Sequence, residues 1–132
     1  REYWGTQAPA AYLSVPRAID FQFENKWDAV RKRCQNLLGD ALSEIRKLTG
    51  MPSIYGKSGL NGYAQMAAVE LPSRWQPHEL QSWLYDHRRI EIPVIEWNQR
   101  WLLRISVQGY NTREDLEELI SALKDWKKIQ NV

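Results

Sequence analysis

The stretch IEIPVIEWNQRWLLRISV, residues 90–107, decides the fold. Ile90–Trp97 and Arg100–Val107 are rich in β-branched and aromatic residues, which fit a pleated surface. Asn98-Gln99 between them suits a tight hairpin turn. Two antiparallel strands are predicted. Pro93 cannot donate a ladder hydrogen bond, so the first strand belongs at a sheet edge or is bulged. In the second strand Leu103 and Ile105 point to one face and Arg104 to the other. A charged residue flanked in this way is either a paired structural ion or the grip for a ligand.

Working towards the N-terminus, Pro77–Asp86 reads as a helix with Leu80, Trp83 and Leu84 on one face and Pro77 at its first position. Gln65–Leu71 is a short apolar run ended by Pro72 and is predicted as a strand. Pro52–Gly62, rich in Pro, Ser, Asn and Gly, is a loop. Trp27, Val30, Cys34, Leu37, Ala41, Ile45 and Leu48 recur every three or four positions, which predicts a helix over Lys26–Thr49. Asn25 offers its N-cap and Gly50 its C′ residue. Gly39 in the interior costs roughly 1 kcal/mol relative to Ala, offset by packing of the long stripe. Leu13, Ala18, Ile19 and Phe23 fall at helical intervals interrupted by Pro16. They predict a short helix, a break, and a second helix starting near Pro16.

Beyond the hairpin, Thr112 and Asp115 approximate a capping box, and Leu116, Leu119, Ile120 and Leu123 continue an amphipathic helix. The order helix, strand, helix, strand, strand, helix predicts an α+β domain. Its economical packing is a small antiparallel or mixed sheet of about three strands covered by helices.

A length of 132 residues, 43% hydrophobic and 26% charged, fits one folded domain and excludes a disordered or collagen-like chain. Eighteen basic residues against 16 acidic ones leave a net charge of +2, too balanced to indicate a nucleic-acid partner. No apolar run approaches the ~20 residues of a membrane-spanning helix, so no membrane partner is expected. Cys34 is the sole cysteine, which rules out an intrachain disulfide. Arg31, Lys32 and Arg33 beside it could activate a thiol, but a small apolar side chain on a helix is the simpler reading. His78 and His87 have no cysteine near them, lack zinc-ligand spacing and read as solvated, so no metal is expected. Seven tryptophans suit domain interfaces or, interleaved with arginine, base stacking; interfaces are the preferred reading. The chain opens Arg-Glu-Tyr-Trp, without initiator Met, signal region or transit peptide, and is expected to be a piece of a longer, cytoplasmic protein.

Two motifs narrow the functional class. RISVQGYNT at residues 104–112, followed by Glu114, Asp115 and Leu116, resembles the C-terminal signature of class V aminotransferase-like enzymes. These are fold-type I proteins that use pyridoxal phosphate (PLP). WGTQAPAAYL at residues 4–13 resembles the Gly-Thr segment that enters the first helix of the same family's C-terminal region. HRRIEIPV at residues 87–94 is most similar to the isopenicillin N epimerase-like branch.

The resemblance implies that residues 25–132 are the C-terminal small domain of a fold-type I enzyme. Residues 1–24 would be the interdomain segment and helix, and the large PLP-binding domain is absent from this sequence. It implies a homodimer with active sites between domains and subunits. Gly5 and Thr6 would reach a PLP phosphate held by the neighbouring subunit, because a dianion wants several fixed donors. Without the resemblance, Gly-Thr reads as a turn before a helix. Arg104 would grip the α-carboxylate of a small amino-acid-type substrate through its guanidinium fork. Ser106, Tyr110 and Asn111 would shape the turn and cap the last helix.

The Schiff-base lysine, the carboxylate for the pyridine nitrogen and the ring that stacks on the cofactor would lie upstream. Lys26, Lys32, Lys47, Lys57, Lys124, Lys127 and Lys128 do not occupy such a position. This chain alone is therefore expected to contain no catalytic residue, not to hold PLP and to be inactive. Cysteine desulfurases share the signature, but they need a mobile cysteine where Ile90 falls. The reactions left are epimerisation, transamination or lyase chemistry at the α-carbon of an amino acid or amino-acid-containing substrate. The alternative is a non-catalytic module that binds a protein or nucleic acid through Arg31, Lys32 and Arg33, or Arg88 and Arg89, with exposed tryptophans.

Overall fold

The computed structural model describes residues 9–55 and 62–130, and the chain divides into two compact units, residues 1–30 and 31–132. The first unit contains helices Pro9–Leu13 (α1) and Val15–Glu24 (α2), the predicted pair with a break at Ser14. Pro16 lies in the first turn of α2, where a missing N–H costs nothing. Arg17 pairs with Glu24 at 2.7 Å, and the Phe21 and Trp27 rings meet with centroids 5.6 Å apart.

Asn25 corrects the predicted cap. Its side-chain Nδ2 donates to the Phe21 carbonyl at 2.8 Å, so it closes α2 instead of opening the next helix. An amide that donates satisfies one of the carbonyls left orphaned at a helix C-terminus. Lys26 then turns the chain at φ 49, and helix Trp27–Thr49 (α3) begins one residue later.

In the second unit α3 buries Cys34, Leu37, Leu38, Ala41, Leu42 and Ile45, and it stops at Gly50, which has φ 73. Strand Met66–Leu71 (β1) follows, then a 3₁₀ turn at Ser73–Trp75 that the sequence pattern did not reveal. Helix Pro77–Arg88 (α4), strands Val94–Trp97 (β2) and Arg100–Ser106 (β3), and helix Arg113–Gln130 (α5) complete the unit. The sheet has three strands in the order β1-β3-β2, antiparallel throughout. Asn98 and Gln99 have φ 49 and 60, the two positive values of a type I′ hairpin turn.

The first hairpin strand is shorter than predicted. Helix α4 runs on to Arg88, Arg89 turns the chain at φ 55, and regular pairing starts only at Val94. Pro93 has no N–H for the ladder and stands at the strand's entrance, where its carbonyl accepts from Arg104 N at 3.0 Å. Strand β2 is an edge, as expected.

Trp75, Leu38, Leu42, Ile45, Leu80, Leu84, Leu103 and Leu123 are fully buried and make the core between helices and sheet. Two tryptophans expected at interfaces lie there instead: Trp75 is 0% and Trp126 3% exposed. Burial is tolerable for Trp126 because its Nε1 donates to the Trp75 carbonyl at 2.7 Å. Gly39 has a packing reason too, since a β-carbon there would sit 3.3 Å from the Tyr63 hydroxyl. At the start of α5, Thr112 N donates to Asp115 Oδ2 at 3.0 Å and Asp115 N to Thr112 Oγ1 at 3.4 Å. That is the predicted capping box.

Burial alternates along the strands. Ala67, Val69 and Leu71 of β1 and Leu103 and Ile105 of β3 face the helices, whereas Met66, Arg104 and Ser106 are exposed on the opposite face. No helix among the described residues is long and apolar enough to cross a membrane.

Candidate functional site

Arg104 stands on the open face of the central strand, in register with Ala68 of β1. Its backbone is fixed on the other side by Pro93. Among the described residues no hydrogen bond or ion pair engages its guanidinium. The paired-ion alternative therefore has no support within them, and an exposed, uncommitted fork is left pointing off a rigid ladder. Such a fork can take a carboxylate bidentately.

Arg100, on the same face four residues earlier, behaves differently. Its Nη2 donates to Glu70 Oε2, and the Glu70 side chain is 15% exposed against 37% for Arg100. This hydrogen bond, helped by the guanidinium charge and opposed by burial, holds the Glu70 carboxyl below the ordinary carboxylate range. The same contact raises the pKa of Arg100.

The structure around the strand is stiffened by polar contacts. Tyr55 Oη accepts from the edge amide of Ala68 at 2.6 Å. Gln65 Nε2 donates to the Val107 carbonyl and to Gln108 Oε1, both at 3.1 Å. Asn111 Oδ1 accepts from Gln108 N at 2.9 Å, and Arg33 donates to the Gly109 carbonyl at 2.8 Å. The turn after β3 is thus tied from several sides, with Asn111 shaping it as expected, while Tyr110 is 82% exposed.

Gly5 and Thr6 lie outside the described residues, as does Lys57. No lysine among the described residues is buried; Lys127, for example, donates to the Leu48 carbonyl at 3.0 Å. Cys34 is 1% exposed in the core, the small apolar helix position expected of it. His78 and His87 are exposed, and His87 stacks on Trp83 with ring centroids 5.3 Å apart. Among the described residues no group of three or more His, Cys, Asp or Glu could hold a metal ion.

The open grooves of the unit lie elsewhere. One runs along α4 past His78, Tyr85, Asp86 and Glu91, and another lies between Arg33, Asp40 and Arg113. Arg104, exposed on its strand, lines neither of these two. Sequence reasoning missed Glu70, Arg100 and Tyr55. The parity of Arg100 with Arg104 was readable in β3, but the pairing with Glu70 needed the β1–β3 register.

The chain is 34% identical over 125 residues to isopenicillin N epimerase of Amycolatopsis lactamdurans, a match covering 94% of this chain and 31% of that protein. It is 33% identical over 120 residues to isopenicillin N epimerase of Streptomyces clavuligerus, covering 90% of this chain and 30% of that one. The chain is homologous to part of isopenicillin N epimerase. It spans a little under a third of the length of these curated relatives. No protein-family model matches it. Among solved structures, 8-amino-7-oxononanoate synthase of Francisella tularensis superposes with a TM-score of 0.67 at 16% identity, covering 98% of this chain and 36% of that one. This likeness concerns the fold: a three-stranded antiparallel sheet packed with helices, the α+β architecture expected of a fold-type I small domain.

Proposed function

We propose that this chain is the substrate-gripping small domain of a PLP-dependent enzyme acting at the α-carbon of an amino acid or amino-acid-containing substrate. The observation that carries the reading is the guanidinium of Arg104, exposed on the face of the central strand and unpaired among the described residues. Homology to isopenicillin N epimerase over nearly the whole chain supports the assignment to epimerase-like chemistry, with transamination and lyase reactions in the same class. Arg104 binds the substrate carboxylate and orients the α-carbon relative to the cofactor. Because the strand is fixed by cross-strand hydrogen bonds on both sides, the fork is pre-organised.

PLP, when bound, supplies an electron sink for charge at the α-carbon. In this reading residues 1–24 form the interdomain segment that brings Gly5 and Thr6 to the cofactor phosphate, and residues 25–132 form the small domain. A large domain of the same protein, which this sequence lacks, holds the cofactor through its lysine. A homodimer partner completes the site. We place the protein in the cytoplasm, where the buried Cys34 stays reduced.

The test is Arg104→Ala in the protein carrying its native upstream region. Losing a charge-assisted hydrogen-bonded pair of ~1.5–3 kcal/mol weakens substrate binding roughly tenfold to over a hundredfold, with the cofactor spectrum unchanged. Undiminished substrate affinity removes Arg104 from the site.

A further inference from the structure

The geometry points to Arg100 as a positioning residue that holds Glu70 away from Arg104, keeping the Arg104 guanidinium available to an external carboxylate. This inference rests on the reading of Arg104 given above.

Glu70 is in register with Leu102, so Arg100 and Arg104 stand two residues to either side of its partner, on the same face. Such diagonal cross-strand neighbours are roughly 7–8 Å apart, within reach of long side chains. The register thus gives Glu70 two arginines as diagonal neighbours, and it pairs with Arg100. It is also the one acidic residue that the three strands place on this face, because Glu96 is in register with Trp101 and belongs to the other side.

A carboxylate as little exposed as Glu70 needs a partner, since an unpaired, partly desolvated charge is costly. If Arg100 is neutralised, the remaining cation that the three strands place on this face is Arg104. An internal Glu70–Arg104 pair then forms, and it competes with any entering carboxylate from a tethered position of high effective concentration. Arg100 therefore acts through Glu70 on the occupancy of Arg104.

The experiment follows the Glu70 side-chain carboxyl by NMR against pH in the 132-residue chain and in R100Q, R104Q and R100Q/R104Q. In R104Q the Glu70 midpoint stays where it is in the unsubstituted chain. In R100Q it remains below the ordinary carboxylate value, because Arg104 takes over. Only the double variant releases it upwards. Release in R100Q alone means that Arg104 does not reach Glu70, and that overturns the proposal.

In the protein with its native upstream region, R100Q raises KM for the amino-acid substrate roughly three- to fivefold at constant kcat, the size of a partly exposed ion pair. E70Q/R100Q brings KM back, a rescue that a merely structural role for Arg100 does not produce. An unchanged KM in R100Q, where R104A has lost substrate binding, sinks the proposal and leaves the carboxylate reading standing. An unchanged affinity in R104A sinks that reading, while the NMR arm still decides the contact.

Discussion

The indole Nε1 of Trp126 donates to the backbone carbonyl of Trp75 at 2.7 Å, joining α5 to the short 3₁₀ turn in the middle of the core. Both rings are almost completely shielded from water. Trp126→Phe keeps most of the apolar surface but leaves that buried carbonyl without its donor. A loss of about 1–3 kcal/mol is expected, read as a lower midpoint in urea with an unchanged slope. A variant as stable as the original chain would show that water replaces the indole.

The Glu70–Arg100 pair makes stability depend on pH. The native carboxyl has a lowered pKa, so its contribution is present above the unfolded value and is lost as pH falls through the native one. Glu70→Gln is therefore expected to cost up to about 1 kcal/mol near neutral pH. The gap to the original chain should close on acidification below the carboxylate range. Denaturant melts of both chains at neutral and acid pH measure this, and a gap that widens in acid contradicts it.

Gly39 and Tyr63 are expected to be coupled. Ala is worth about 1 kcal/mol more than Gly inside a helix, but a β-carbon at position 39 meets the Tyr63 hydroxyl at 3.3 Å. The hydroxyl must give way before the helical gain is realised. Gly39→Ala should therefore stabilise a Tyr63→Phe chain by more than it stabilises the original, with a coupling of roughly 0.5–1 kcal/mol. Additive effects would show that Tyr63 moves aside freely.

Tyr55 protects a strand edge. Its hydroxyl oxygen accepts from Ala68 N at 2.6 Å, occupying an amide that an edge strand otherwise leaves open. Tyr55→Phe should cost about 1 kcal/mol and speed hydrogen exchange at Ala68. The central-strand amides at Leu103 and Ile105 should keep their protection. Equal acceleration at all three would mean global destabilisation.

What the sequence revealed was the local chemistry. The Asn98-Gln99 turn, the apolar stripe of α3 with Gly50 behind it, and the Thr112–Asp115 cap each depend on residues a few positions apart, and each is found in the fold. Asn25 shows the limit of that reading: an amide can serve either helix end, and the neighbouring carbonyl at Phe21 decided the matter. Tertiary pairings were out of reach. Glu70 and Arg100 are 30 positions apart, Tyr55 and Ala68 13, and neither pair follows from periodicity. Arg104 was visible as a charge between apolar neighbours, but whether it was committed to a partner required the register of all three strands.

Alternating burial along β3 divides labour by parity. Leu103 and Ile105 are fixed by the helices beneath them, while Arg104 and Ser106 touch none of that packing. Substitution at Arg104 or Ser106 changes what the face meets at little cost in folding free energy, since surface changes away from special features usually stay within about ±0.5 kcal/mol. One strand can thus drift in recognition while standing still in architecture.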